Sequence, residues 1–383
     1  MPGGTEAAKS GDARKFPHIM LQEIYEQPAA IRETIRENVR NDALFPGMPP
    51  AMEPALLAFK KIIIAASGSS RHAGLAGEIM MEDLAGVAVD VEYASEYSYR
   101  STHAGSDPIV VVITQSGETA DTIAAQREAL NRGAETIAVT NVAESTIARE
   151  ASAALHTCAG VEKAIPATKS FTAQLTILYL LALLLARRRG RMTSEVIRTH
   201  LKYLSDIPAA IEKSLGSWNE QGLAAAQAFR EVNAFLFLGR GVHYAIAREG
   251  ALKLKEISYV QAEGMPAGEL RHGPNALVSD KLALVALATR DATDPDSMLR
   301  YSKTAGVLEY VKKTGGRTIA IATEGDSEIA KVADRVIYVP AVPELLLPLL
   351  EVVPLQLFAY HFAVLNGHDV DHPRNLVKAV VTE

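Results

Sequence analysis

The sequence predicts an α/β protein built from two similar units, each a parallel sheet covered by helices on both faces. Three observations carry that expectation. Short unbroken apolar or β-branched runs such as Lys61–Ala66, Pro108–Ile113 and Leu282–Ala288 alternate with helical stretches, as in sheets buried on both faces. The order of runs in the first half returns in the second, as after a duplication. At 383 residues the chain has room for two domains of ordinary size.

Taken in order, residues 1 to about 17 are small and charged, which predicts disorder, and Met1 to Lys15 has no signal-peptide core. Ile19, Ile24, Tyr25, Ile31 and Ile35 predict one or two amphipathic helices broken near Pro28. The stretch Pro46 to Pro50 punctuates the entry to the first domain. Five strands are then expected, at Lys61–Ala66, Val87–Glu92, Pro108–Ile113, Thr136–Thr140 and Ala153–Thr157. The apolar block Leu175 to Ala186 is too short to span a bilayer and reads as a buried helix. A mostly helical stretch, Thr193 to Arg230, joins the halves. The second half offers strands at Ala234–Leu238, Leu282–Ala288, Arg317–Ala322 and Arg335–Val339. The expected division is an N-terminal extension over 1–45, domains over 46–200 and 201–365, and a tail over 366–383.

Composition narrows the function. The chain is 48% hydrophobic and 22% charged with net charge -6, which argues against a nucleic-acid binder. The single cysteine, Cys158, cannot close an intramolecular disulfide, so a reducing, cytoplasmic setting without a membrane is expected. The histidines are scattered without ligand spacing, so no metal is expected.

Chemistry is concentrated in a few segments. Two hydroxyl-rich loops, Ser67-Gly-Ser-Ser70 and Thr114-Gln-Ser-Gly-Glu-Thr119, lie at the carboxyl ends of strands and precede helices. Ligands of doubly wound sheets bind there, and helix N-termini favour anions. The loops read either as a phosphate cradle or as ordinary Ser/Thr helix caps. The absence of a Walker lysine loop and of a full dinucleotide glycine fingerprint weighs against a nucleotide. In the stretch Tyr244 to Tyr259, Glu249, Lys253 and Glu256 share one helical face. That face is either a solvated one with weak ion pairs or one that aims ionisable groups at a ligand. His272 lies in Gly268-Glu-Leu-Arg-His-Gly-Pro274, and Lys378 lies in the tail. By themselves they fit a turn residue and a solvated terminus as well as they fit catalysts.

Seven segments in order resemble one family: Glu23-Ile-Tyr-Glu-Gln-Pro28, Thr114 to Thr122, Ala167-Thr-Lys-Ser-Phe-Thr-Ala-Gln-Leu175, Glu249 to Tyr259, Gly268 to Pro274, Val353-Pro-Leu-Gln-Leu357 and Pro373-Arg-Asn-Leu-Val-Lys378. The chain resembles, from about residue 18 onward, the isomerase part of the glutamine–fructose-6-phosphate amidotransferases, or glucosamine-6-phosphate synthases. That part is a pair of sugar-isomerase (SIS) domains, each a flavodoxin-like α/β/α sandwich, and related stand-alone glucosamine-6-phosphate deaminases exist. The resemblance implies that Ser69, Ser70, Thr114, Gln115, Ser116 and Thr119 hold the sugar phosphate. It implies that Glu256 moves a proton between C1 and C2 and that Lys378 forms an imine with the open-chain ketose. It further implies that His272 opens the sugar ring from the neighbouring subunit of a homodimer, with Glu249 and Lys253 in support. No cofactor is implied.

There are departures from the family pattern. Ser67 and Ser69 stand where cysteine and threonine are usual, Ala167 where serine is usual, and Gln261 where histidine is common; Pro266 is unusual. No glutaminase segment is present in the sequence, so ammonia is expected to be free or to come from a separate glutaminase. The resulting expectation is interconversion of glucosamine 6-phosphate with fructose 6-phosphate and ammonia, run as a deaminase/isomerase. The alternatives are synthesis of glucosamine 6-phosphate, a catalytically silent sugar-phosphate sensor, and catalysis on another sugar phosphate.

Overall fold

The computed structural model describes residues 16–100 and 108–381, so the reading of residues 1 to 15 lies outside the described residues. The first sheet contains β1 (Lys61–Ala66), β2 (Ala88–Tyr93), β3 (Pro108–Ile113), β4 (Glu135–Thr140) and β5 (Ala153–His156). Its strands are all parallel, in the order β2-β1-β3-β4-β5. The second sheet contains β6 (Ala234–Gly239), β7 (Gln261–Pro266), β8 (Leu282–Ala288), β9 (Arg317–Thr323) and β10 (Arg335–Val339). It is parallel too, in the order β7-β6-β8-β9-β10. Strand for strand, this is the topology of the first sheet, the flavodoxin-like order with its crevice where the chain reverses direction.

Strand β7 was not anticipated, and its sequence, Gln261-Ala-Glu-Gly-Met-Pro266, explains why. It is neither continuous nor β-branched. It pairs only with β6, at the edge of the sheet, where a proline can be accommodated.

Alternation along the strands divides the apolar residues between three clusters. Ile62 and Ile64 of β1 and Phe235 and Phe237 of β6 enter one core shared by both halves. Their neighbours Ile63 and Ala65 face an outer cluster of the first half, and Leu236 and Leu238 face one of the second. The inner core is therefore common property of the two sheets. Helices Lys169–Arg188 and Glu344–Leu365 run through it; by length and composition alone both could cross a membrane, yet 100% and 89% of their apolar windows are buried in the fold. The first extends well beyond the block Leu175 to Ala186, correcting the expected length. Thr172 and Thr176 continue it inside the core because their hydroxyls donate back to the carbonyls of Lys169 and Thr172.

The N-terminal region forms two helices, Ile19–Tyr25 and Gln27–Asn38, separated at Glu26, with Pro28 in the first turn of the second. Gln27 Nε2 donates to Gln356 Oε1 at 2.8 Å inside the core. The helix Ser194–Ala228 connects the halves as expected. Helix Gly68–Ala85 follows β1, Ala120–Asn131 follows β3 and Val242–Ser258 follows β6, and these three carry the site.

Candidate active site

A cavity of about 280 Å³ opens at the carboxyl ends of β1 and β3. Ser67, Ser69 and Ser70 line it from one loop, and Thr114, Gln115, Ser116 and Thr119 from the other. Glu256 and Lys253 reach it from the helix Val242–Ser258, and Leu376 to Val380 cover it from the tail. Two loops of one half, one helix of the other and the chain's end thus converge on a single space.

The loops are built for close approach. Gly68 and Gly117 have φ of 54° and 70°. A Cβ at Gly117 would stand 2.0 Å from Ser145 Oγ, so only glycine fits. Neither Ser67 nor Thr119, the residues at the N-caps of the two following helices, makes a side-chain capping bond. The hydroxyls of Ser67 and Thr119 are therefore not consumed as caps. Thr114 Oγ1 and Thr119 Oγ1 lie 2.7 Å apart, and Ser116 Oγ accepts from the N–H of Glu118 at 3.2 Å, which leaves its own proton for a ligand. Ser69 differs: its hydroxyl donates to Glu249 Oε1 at 2.8 Å, so that proton is already engaged.

The acid–base–acid face of the helix Val242–Ser258 is not solvated. Glu249 and Lys253 are fully buried, because the helix packs on Gly68–Ala85 of the first half and on Leu347–Leu365 behind it. Lys253 Nζ lies 3.4 Å from Glu249 Oε1 and 2.6 Å from Glu256 Oε2. Glu249 Oε2 also pairs with His72 Nδ1 at 2.8 Å. Burial pushes the Glu249 carboxyl up, but Lys253, His72 and Ser69 outweigh it and hold it below the usual carboxylate range. Burial likewise opposes the charge of Lys253, and Glu256 and Glu249 overcome it, raising the ammonium above its ordinary range. Glu256, with a fifth of its side chain exposed, is the most exposed member of the row and lines the cavity beside Lys253.

Lys378 enters from the opposite wall. Its Nζ donates to Glu162 Oε2 at 2.5 Å and to the carbonyl of Ala164 at 2.8 Å. Glu162 also accepts from the N–H groups of Thr168 and Ser170 and from the Ser170 hydroxyl. Burial drives its carboxyl up, and Lys378 with these donors brings it below the usual range. The neighbouring Glu23 accepts from the N–H groups of Lys163 and Ala164, and burial foremost, with the Glu162 charge, pushes it up to about 7.

The tail is held by polar contacts. Asp371 accepts from the N–H groups of Ile19 and Met20, capping the first helix, and its carbonyl accepts from the N–H of Ile165. The N–H of Arg374 donates to Tyr259 Oη, and the carbonyl of Val380 accepts from the N–H of Ala120 at the start of a helix. Leu376, Val377 and Val380 are apolar yet 38%, 65% and 52% exposed. His272 sits in the turn Glu269–His272, exposed and outside the cavity, so within one chain it is not brought to the other residues.

Sequence reasoning missed Glu162 and His72. Glu162 is one acid in an irregular loop with no pattern around it, and His72 lies four residues beyond Gly68 on the first-half helix, a spacing that by itself signals nothing.

Comparisons with known proteins bear on the family and the fold. The SIS domain model matches residues 56–184 and 228–366. A glutamine–fructose-6-phosphate aminotransferase (isomerizing) of Chlorobaculum tepidum is 43% identical over 370 residues, covering 96% of this chain and 59% of that protein. The Thermus thermophilus protein of the same name is 42% identical over 380 residues, covering 99% and 60%. The chain therefore spans about three-fifths of the length of these curated relatives. Among solved structures, the C-terminal domain of glucosamine-fructose-6-phosphate aminotransferase from Francisella tularensis superposes with a TM-score of 0.87 at 34% identity, over 94% of this chain and all of that one. Glucosamine-6-phosphate deaminase of Thermotoga maritima shares the fold, with a TM-score of 0.70 at 21% identity over 94% and 99% of the two chains. With the family model matching both halves, the chain belongs to the SIS domain family.

Proposed function

We propose that the chain interconverts glucosamine 6-phosphate with fructose 6-phosphate and ammonia at the cavity beneath its tail. The observation that carries this reading is the placement of Glu256, backed by Lys253 and Glu249, and of Lys378 on opposite walls of one cavity floored by hydroxyl-rich loops. The phosphate is held by Ser70, Thr114, Gln115, Ser116 and Thr119, while Ser69 supports Glu249. The Lys378 amine adds to the ketose carbonyl and water leaves, giving an imine. In the synthetic direction ammonia then adds at the imine carbon and the Lys378 amine leaves, giving the ketimine of fructose 6-phosphate. From it Glu256 takes a proton at C1 and returns one at C2, as a carboxylate within hydrogen-bond reach can do. Deamination runs these steps in reverse, with ammonia leaving as Lys378 re-forms its imine. Lys253 keeps Glu256 oriented through a contact of 2.6 Å.

Lys378 must first lose a proton. Glu162, held below its usual range, is a poor acceptor for it and serves as the anchor of the resting ammonium. In this reading His272 comes from the second subunit of a homodimer to open the sugar ring, which its exposure outside the cavity supports. The functional units are an extension over 1–45, a phosphate-binding domain over 46–200, a domain carrying the catalytic helix over 201–365 and a catalytic tail over 366–383, placed in the cytoplasm.

The synthetic direction, with ammonia free or delivered by a separate glutaminase, is favoured by one observation: relatives above 40% identity are named aminotransferases, whereas the deaminase neighbour shares the fold at 21%. Steady-state assays of the purified 383-residue chain with glucosamine 6-phosphate, and with fructose 6-phosphate plus ammonium, test both directions. Turnover of neither sugar would overturn the catalytic reading and favour a silent sensor. Product formed by this chain from glutamine alone would overturn the dependence on free ammonia.

A further inference from the structure

The second sheet has a crevice of its own, beside the loops that follow β6 and β7. β6 occupies the place of β1 in the common strand order, and the loop after it carries Arg240 between Gly239 and Gly241. A cavity of about 350 Å³ opens beside that loop. Three cationic side chains line it, each from a different element: Arg240 from the loop, Arg271 from the turn Glu269–His272, and Lys303 from the helix Pro295–Lys313. Among the described residues no carboxylate closes an ion pair with any of the three. Other arginines of this half are neutralised, Arg290 against Asp326 and Arg300 against Glu344 and Asp294.

Two details sharpen the contrast. Arg271 Cζ stands over the Tyr310 ring, 4.7 Å from its centroid, a cation–π contact that positions the guanidinium without neutralising its charge. Arg240 Nε is shut off from solvent with no acceptor, although buried donors are almost always paired. In a chain of net charge -6, three unneutralised cations around one crevice repel one another. A single multivalent anion would relieve that repulsion.

We propose that this crevice is a second anion site, specific for a phosphate dianion, free or carried as a monoester. Two guanidinium forks and an ammonium arriving from three directions suit the three peripheral oxygens of phosphate better than the two of a carboxylate. The site stands apart from the cavity beneath the tail, and its existence does not depend on the reaction proposed there.

Equilibrium dialysis of the full chain against radiolabelled orthophosphate, at fixed ionic strength in chloride, tests it. The Arg240→Gln, Lys303→Gln double variant is expected to lose one bound equivalent relative to the parent while still binding fructose 6-phosphate, which certifies its fold. Arg240→Lys, which keeps the charge but not the fork, is expected to bind that equivalent several-fold more weakly. Displacement of the same equivalent by a hexose 6-phosphate assigns an ester ligand, and retention of it assigns free phosphate. Unchanged stoichiometry and affinity in both variants would overturn the proposal.

Discussion

Lys378 and Glu162, separated by 216 residues in the chain, meet at 2.5 Å on the wall of the cavity, the ammonium partly exposed and the carboxylate fully buried. The tail is thus tied to the first domain by a charge pair placed where the imine is proposed to form. Glu162→Gln keeps the shape and leaves an amide oxygen to accept from Thr168 and Ser170, but it removes the charge that holds Lys378. Hydrogen bonds to charged groups contribute about 1.5–3 kcal/mol, and the partial exposure of Lys378 places the loss at the lower end. The variant should fold, turn over at least several-fold more slowly, and show faster amide exchange across residues 374–381. A tail protected as in the parent would show that Asp371 and Val380 suffice to hold it.

Much of this fold can be read from the sequence, for a physical reason: a strand buried on both faces has no choice but to be continuously apolar. The six inner strands of the two five-stranded sheets announce themselves that way, whereas among the edge strands, free of that demand, β7 carries no apolar or β-branched run and hides. The row Glu249, Lys253, Glu256 is legible from helical periodicity alone. Its burial is not, because that depends on the packing of the second-half helix against Gly68–Ala85, a contact between distant segments. Glu162 is hidden for the same reason. The tail is the converse case: Leu376 and Val377 are apolar and exposed, while the anchor is the Asp371 carboxylate, which only its distant N–H partners reveal.

Ser116 tests the cradle. Its hydroxyl accepts only from Glu118 N–H within the loop, so its proton is available to a phosphate oxygen. Ser116→Ala should weaken sugar-phosphate binding by about 1–3 kcal/mol. Because the phosphate contact persists in the transition state, KM should rise more than kcat falls. Binding as tight as in the parent would place the phosphate elsewhere.

Assembly has its own test. A homodimer in which His272 serves the partner's site requires that two inactive chains complement each other. Mixing His272→Ala with Glu256→Gln should yield hybrid dimers that regain activity, since one of the two sites then has both residues intact. Verified hybrids without activity would mean that each site is complete within one chain.

The second half contains a buried charge cluster with a clear pH signature. His243 lies 3.1 Å from Glu344 and 2.7 Å from Glu351, and Arg300 also pairs with Glu344. Burial opposes the imidazolium, but Glu351 and Glu344 overcome it and raise His243 to about 9. A histidine raised in the folded state stabilises it fully below the unfolded value near 6.5, and that contribution is lost as pH rises through about 9. Glu344, held near 2 despite burial by His243 and Arg300, stays ionised throughout that window. The contribution amounts to roughly 3 kcal/mol at most, at about 1.4 kcal/mol per pH unit. Urea unfolding of the parent and of His243→Gln should therefore show a stability gap at pH 6 that narrows towards pH 10. Parallel stability curves would mean that His243 is not charged in the folded protein.

The tail lysine carries the most exacting prediction. Residues 374–381 contribute little to the core: Leu376, Val377 and Val380 are exposed, and the contacts that close the sandwiches precede Arg374. Deleting residues 374–383 should abolish turnover while thermal unfolding remains cooperative, with Asp371 still capping the first helix. Lys378→Arg keeps a cation beside Glu162 and so should keep the tail docked. It cannot supply a free amine, since guanidinium does not deprotonate in proteins, and it should be nearly as inactive as the deletion. The contrast separates a lysine that only positions the tail from one that reacts. Borohydride added with fructose 6-phosphate should reduce the imine to a stable secondary amine, and peptide mass spectrometry should find the added hexose phosphate on Lys378. Near-normal turnover of Lys378→Arg would end the proposal that this amine does the chemistry.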